Sequence, residues 1–99
     1  LPELEATAAF PHRACTYFSE LQTYWEDPKK AAPLMESFEA VQKIFQDYGI
    51  TTQYRNYPDI NFKHWDTLYY GNNYQRLQLI KNKYDPLNLI LGEQSIKPI

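Results

Sequence analysis

The stretch Tyr54-Arg55-Asn56-Tyr57-Pro58-Asp59 is the part of the sequence from which the fold prediction starts. Residues 50–57 are rich in β-forming types, which predicts a strand. Strict alternation along a strand would place Tyr54 and Asn56 on one face and Tyr57 on the other. Pro58 favours an extended residue before it and ends strand pairing, and a turn here would let both tyrosines approach one site.

Two interpretations of these side chains remain open. Tyrosines are common in strands, so both can be ordinary strand residues with solvated hydroxyls. A phenol can also act as a general base at a redox site, but its unperturbed pKa of about 10 must then be lowered by a cation or by hydrogen-bond donors. Arg55 is a local cation, although on a straight strand it would share a face with Tyr57 rather than with Tyr54.

Upstream, the pattern predicts a strand at 13–18 and a helix at about 33–48. Apolar residues recur along the helix in steps of three and four, so one face is apolar and is expected to pack over a sheet. Either Asp27-Pro28 or Pro33 marks the start of this region, and Gly49 is the expected stop.

Downstream, the sequence predicts a short helix over residues 65–70 that is stopped by Gly71. A second helix is expected at about 73–84, where Asp85-Pro86 ends it. Together these segments predict an α+β fold in which antiparallel strands pack with helices.

Composition excludes several classes of function. The 99 residues carry a net charge of -2 and the basic residues are scattered, so we expect no nucleic-acid binding. No apolar run approaches the roughly 18 residues of a membrane span, so we expect a soluble chain with no membrane contact. There is no glycine-rich phosphate loop. His12, Cys15 and His64 lack the spacing of a metal site, so no metal is expected.

The second half of the chain carries an ordered series of residues that resembles a known family. The series closely resembles the C-terminal segment of berberine-bridge-enzyme-like flavoproteins, which are FAD-linked oxidases of the vanillyl-alcohol-oxidase type. Phe10-Pro11-His12-Arg13 also looks like an upstream strand of that family's substrate domain, whereas Ile90 stands where the family usually has an aromatic residue. The matching positions are Tyr54-x-Asn56-Tyr57-x-Asp59, Trp65, Tyr69-Tyr70-Gly71-x-Asn73, Arg76-Leu77, Lys81-x-Lys83-Tyr84-Asp85-Pro86-x-Asn88 and Gln94-Ser95-Ile96.

The resemblance implies a domain assignment. Residues 1–99 would be a single C-terminal fragment, with 54–98 as its berberine-bridge-like segment. The fragment would comprise part of the substrate domain and a C-terminal tail that returns to a flavin domain. FAD would then be bound mainly by an upstream FAD-binding domain of the same protein, and the chain alone would be inactive.

The resemblance also implies roles for three side chains. Tyr57 matches the catalytic base of some members, Tyr54 matches an active-site tyrosine of others, and Asn56 matches a position beside the flavin. The implied reaction is base-assisted hydride transfer from a small alcohol or saccharide to the flavin, with oxygen as the final acceptor. The alternative is a non-catalytic interaction module, or a degenerate fragment of the same fold.

Overall fold

The computed structural model describes residues 7–99. In this range the chain forms three α-helices, which we call α1 (Ala31–Asp47), α2 (Trp65–Tyr70) and α3 (Tyr74–Tyr84). Short 3-10 turns precede α1 and connect α2 to α3, at Pro28–Lys30 and Gly71–Asn73. None of these helices is both long enough and apolar enough to span a membrane.

The chain divides into two compact units. The α1 unit comprises Thr16–Thr51. The α2–α3 unit comprises the described residues up to Cys15 together with Thr52–Ile99.

The predicted α+β fold is wrong, because residues 7–99 contain no strand. The runs at 13–18 and 50–57, from which antiparallel strands were expected, form turns and irregular backbone. Alternation and β-forming composition describe one strand, but a strand is stable only when a neighbour completes its hydrogen bonds. Gln53 instead donates its main-chain N–H to the carbonyl of Leu68 in α2, at 2.9 Å.

The predicted helices are confirmed, with small shifts at their ends. The long helix begins at Ala31, after a 3-10 turn in which the Asp27 carboxylate accepts the N–H of Lys29 at 3.0 Å. It ends at Asp47, and the expected stop, Gly49, follows with a φ of 78°, in the left-handed region that glycine adopts most easily. Two capping bonds, each of 2.9 Å, run from Gly49 to Gln46 and from Ile50 to Phe45, which is the Schellman arrangement.

The apolar face of α1 has no sheet beneath it among the described residues. No residue of α1 is buried, and Ile44 is 55% exposed. Tyr48, at the end of the predicted stripe, is 83% exposed. The periodicity therefore gave the helix correctly, but not the layer on which it was expected to pack.

In the α2–α3 unit, α2 occupies the predicted residues and ends at Gly71, which has φ 51° and ψ -132°. A Cβ at Gly71 would meet the ring of Pro11 at 3.8 Å, which is an ordinary contact. The glycine is thus required by the backbone conformation rather than by lack of space. Tyr69 of α2 is buried in this unit, with only 1% of its surface exposed.

Candidate functional site

The two tyrosines singled out from the sequence lie close together on a turn. The N–H of Tyr57 donates to the carbonyl of Tyr54 at 3.0 Å, which closes a four-residue turn. The two ring centroids are 5.9 Å apart, and the rings are tilted by 40°. We call residues 54–57 the tyrosine turn. A straight strand would have separated the two phenols, whereas this turn places them side by side.

Asn56 belongs to the same arrangement. Its side-chain Nδ2 donates to the hydroxyl oxygen of Tyr54 at 2.7 Å, so the hydroxyl hydrogen of Tyr54 is not used in this bond. Tyr57 is 69% exposed, Asn56 is exposed and Tyr54 is half-buried. The three predicted site residues therefore form one polar and aromatic surface that a ligand can reach.

Arg55 has different neighbours from those that the sequence suggested. Its Nε donates to the hydroxyl of Tyr70 at 3.2 Å. Its guanidinium carbon lies 5.5 Å from the ring centroid of Tyr69, within the range of a cation–π contact. These contacts direct the cation toward α2, and they fasten the tyrosine turn to that helix.

Two residues near the start of the described chain complete the surroundings of the turn. The ring of Phe10 lies edge-on to Tyr54 with centroids 5.9 Å apart, and edge-on to His12 at 5.4 Å. His12 Nε2 lies 2.9 Å from the carbonyl oxygen of Gln53. Because a carbonyl can only accept, Nε2 carries the hydrogen of this bond.

Sequence reasoning missed these contacts. It assigned Phe10 and His12 to an upstream strand and weighed His12 as a metal ligand. The contacts of His12 with Gln53 and of Phe10 with Tyr54 join residues more than 40 positions apart, and no local pattern signals such pairing. Among the described residues, no group of three potential ligand side chains is arranged to hold a metal ion.

The family-like residues at the C-terminal end of α3, from Lys81 to Asn88, form a hydrogen-bonded turn around Asp85. Asp85 pairs with Lys81 and accepts main-chain N–H groups from Leu89 at 2.7 Å and from Ile90 at 3.0 Å. The hydrogen bond from Lys81 is the main cause that lowers the pKa of Asp85, and the two main-chain bonds act in the same direction although partial desolvation opposes them. Asn88 supplies the positive φ of 52° that this turn needs.

The comparisons with known proteins fall on this part of the chain. Residues 53–97 match the family model described as berberine and berberine like. The chain is 36% identical over 90 residues to the uncharacterized FAD-linked oxidoreductase YvdP of Bacillus subtilis, which is 91% of this chain and 20% of that protein. It is 31% identical over 110 residues to the monolignol oxidoreductase AtBBE-like 13 of Arabidopsis thaliana, which is 97% of this chain and 20% of that protein.

A shorter match joins the chain to a fungal enzyme. The chitooligosaccharide oxidase of Gibberella zeae is 44% identical over 52 residues, which is 50% of this chain and 11% of that protein. No solved structure matches the chain significantly.

Two of the Bacillus subtilis relatives are named as FAD-linked oxidoreductases, which gives the class of protein. Through residues 53–97 the chain belongs to the berberine and berberine-like family within that class. The chain spans about a fifth of the length of YvdP and of AtBBE-like 13, 20% in each case.

The described residues fit one side of a flavin site. The tyrosine turn presents two phenols and an amide on an accessible surface, and such groups suit a substrate that lies against a flat ring. The sequence has three glycines and no glycine-rich loop, so it lacks the usual means of binding a pyrophosphate. The phenols and the amide of the tyrosine turn therefore have the hydrogen-bonding groups needed to hold a substrate beside a flavin ring.

Proposed function

We propose that the chain supplies the substrate-side residues of an FAD-dependent oxidase that acts on an alcohol or a saccharide. Tyr57 takes the hydroxyl proton of the substrate, Tyr54 orients that hydroxyl, and Asn56 lies beside the flavin. The observation that carries the proposal is the tyrosine turn itself, in which two phenols 5.9 Å apart lie within the family-matched residues.

The proposed reaction is the two-electron oxidation of a substrate alcohol group to a carbonyl group. The O–H proton of the substrate moves to the Tyr57 oxygen in its phenolate form, while the substrate C–H bond breaks and its C–O bond becomes a C=O bond. A bound FAD would supply the acceptor for the hydride, with oxygen as the final acceptor of the two electrons. This chain's residues hold the substrate hydroxyl and receive its proton, and positioned acid–base groups of this kind contribute about 10²–10⁴-fold to a rate.

The substrate class is proposed from the names of two relatives together with the turn. One relative is a monolignol oxidoreductase and another is a chitooligosaccharide oxidase. Both names fit an alcohol or a saccharide, and the exposed ring of Tyr57 gives either one a surface to pack against. An upstream FAD-binding domain of the same protein is the proposed partner.

The first experiment uses the FAD-loaded protein that contains this chain, mixed without oxygen with coniferyl alcohol or with diacetylchitobiose. The loss of oxidised-flavin absorbance gives the rate of hydride transfer. Tyr57→Phe is expected to lower this rate about 10²–10⁴-fold, because the proton acceptor is removed. Tyr84→Phe, at an exposed site in α3, is the matched control and should leave the rate unchanged.

Other results of this experiment would change or contradict the roles proposed for Tyr57 and Tyr54. If Tyr57→Phe has no effect and Tyr54→Phe abolishes reduction, the roles of the two phenols are reversed. If both variants keep the full rate, the tyrosine turn is not catalytic. If neither compound reduces the flavin of the unmodified protein, oxidation of these two substrate classes is contradicted.

A second experiment tests the proposed partner. The 99-residue chain is mixed with FAD and separated from excess cofactor by gel filtration. We expect no bound flavin, because the chain has no phosphate-binding loop. Stoichiometric yellow protein would contradict the need for an upstream FAD-binding domain.

A further inference from the structure

Two buried side chains from distant parts of the sequence meet at Asp59, two residues after the tyrosine turn. Among residues 7–99, Tyr69 is the buried apolar residue and Gln94, 8% exposed, is the buried polar one. The Tyr69 hydroxyl donates to Gln94 Oε1 at 3.1 Å, although 25 positions separate the two residues. Buried polar atoms are costly unless they are paired, so this contact has a defined geometry.

Both side chains also bind the main chain of Asp59. The N–H of Asp59 donates to the Tyr69 hydroxyl at 2.9 Å, and Gln94 Nε2 donates to the Asp59 carbonyl at 2.7 Å. The Tyr69 hydroxyl oxygen lies 3.4 Å from the Asp59 carbonyl oxygen and 3.1 Å from Gln94 Oε1. The hydroxyl hydrogen therefore makes its shorter bond with Gln94. We call Tyr69, Gln94 and the main chain of Asp59 the Asp59 clamp.

The other end of the turn is held in a similar way. Gln53 donates its N–H to the Leu68 carbonyl at 2.9 Å and accepts the His12 Nε2–H at 2.9 Å. Both main-chain polar groups are thus bound at Gln53, before the turn, and at Asp59, after it. Leu68 and Tyr69 are neighbours in α2, so one helix holds both ends of the segment.

The distance along the chain from the clamp to Tyr57 is short. Pro58 alone lies between Tyr57 and Asp59; its ring fixes φ, and the described residues contain no cis peptide bond. Few rotatable bonds therefore separate the fixed Asp59 from the Tyr57 main chain. A change in the position of Asp59 is transmitted to the phenol that is proposed to accept the proton.

We infer that Tyr69 and Gln94 are positioning residues, which set the place of the Tyr57 phenol by fixing Asp59. This inference rests on the proposed function, because it assigns a catalytic consequence to the clamp. Neither residue needs to touch the substrate. A misplacement of about 1 Å in a reacting group can cost about 10²-fold in rate, so a loosened clamp has a measurable effect.

The test uses the FAD-loaded protein and the conservative variant Tyr69→Phe, which keeps the ring and removes only the hydroxyl. Gln94→Met removes both polar atoms of the partner at similar volume and is the second variant. Tyr74→Phe is the matched control, because the Tyr74 hydroxyl accepts the Lys97 N–H at 3.2 Å in the same unit. Each variant is measured by amide hydrogen exchange and by anaerobic flavin reduction.

Amide exchange reports on the clamp without depending on activity. We expect exchange of the Asp59 N–H to become at least about tenfold faster in Tyr69→Phe, because its acceptor is lost. In Tyr74→Phe the exchange at Asp59 should stay unchanged, and only the Lys97 amide should exchange faster. An Asp59 amide that exchanges equally in all variants would show that no clamp exists.

Flavin reduction then separates positioning from a merely structural role. The limiting rate with coniferyl alcohol or diacetylchitobiose should fall about 10–100-fold in Tyr69→Phe and in Gln94→Met, while the substrate concentration at half-maximal rate changes little. The pH profile should keep its shape, since the base is still present. Faster exchange at Asp59 with an unchanged reduction rate would overturn the inference, as would an equal loss of rate in Tyr74→Phe.

The failure of this inference can be distinguished from failure of the proposed function. If Tyr57→Phe slows reduction and Tyr69→Phe does not, the turn is catalytic and the clamp does not position it. If Tyr57→Phe and Tyr54→Phe both keep the full rate, the proposed function fails. In that case the catalytic consequence assigned to the clamp fails with it, whatever the amide exchange shows.

Discussion

Each of the two units contains a lysine followed four residues later by an aspartate, and the two ion pairs have different surroundings. In the α1 unit, the side chains of Lys43 and Asp47 are 71% and 59% exposed. In the α2–α3 unit, those of Lys81 and Asp85 are only 10% and 11% exposed, and Asp85 also accepts two main-chain N–H groups. The same spacing thus gives a solvated surface pair in one unit and a backbone anchor in the other.

The difference extends to the rest of each unit. The α1 unit contains several contacts between residues that are close in sequence: a 3-10 turn, helix bonds and a Schellman cap. The α2–α3 unit is held by side chains that bind distant main-chain groups, such as Tyr69 to Asp59 and Asn73 to Ala8. The backbone of the unit that carries the proposed catalytic turn is therefore fixed in part by bonds between residues distant in the sequence.

The largest expected effect comes from removing the buried ring of the α2–α3 unit. Tyr69→Ala should lower the free energy of unfolding by about 3–5 kcal/mol, because it leaves a cavity and leaves the Asp59 N–H without its acceptor. Tyr48→Ala at the end of α1 should change it by no more than about 0.5 kcal/mol, since that side chain is exposed. Urea titrations of both variants measure the difference, and equal losses would remove the contrast between the units.

A smaller effect is expected at the two glycines with positive φ. Gly71→Ala should cost about 1–3 kcal/mol, because ψ of -132° lies far from the left-handed helical region. Asparagine tolerates the left-handed helical region, so Gly49→Asn should destabilise the protein less than Gly49→Ala. At Gly71, which lies outside that region, asparagine should be no better than alanine. Thermal unfolding of the four variants checks this, and a rescue by asparagine at Gly71 would contradict the strain argument.

The smallest effects are expected at the ion pairs. Asp47→Asn should cost no more than about 0.3–0.5 kcal/mol, the usual value for an exposed pair at this spacing. Asp85→Asn should lower the melting temperature more, because it also weakens two acceptors of main-chain N–H groups.

The Asp85 effect should depend on pH. The pKa of Asp85 is lowered in the folded state, mainly by the Lys81 bond, so the carboxylate stabilises the fold above its unfolded pKa. This stabilisation is lost as the pH falls through the folded pKa. The difference in melting temperature between the unmodified protein and Asp85→Asn should therefore be full at neutral pH and shrink in acid. A difference that grows in acid would contradict the assignment.

Local patterns were enough to predict the helices. The spacing of apolar residues and the stop at Gly49 predicted α1 to within a few residues, and Gly71 correctly ended α2. Such signals depend on residues three or four positions apart, which a single sequence displays directly. The strands were wrong because a strand depends on a partner, and alternation at 50–57 carries no information about one.

The surroundings of the site could be predicted only in part. The residues of the tyrosine turn were selected from their chemistry and from a family resemblance. The resemblance included Tyr69 and Gln94 but did not reveal that both bind Asp59. His12 against Gln53 and Phe10 against Tyr54 also join distant positions, and composition and periodicity do not report such pairs.

We propose that the phenols of the tyrosine turn face a flavin. A crystal structure of the FAD-loaded protein that contains this chain tests it most directly, through the position of the Tyr57 hydroxyl relative to the isoalloxazine ring. We expect this hydroxyl to face the ring across a space for one substrate alcohol group. A Tyr57 hydroxyl that lies remote from the flavin, or that is enclosed in an apolar interior, would contradict it.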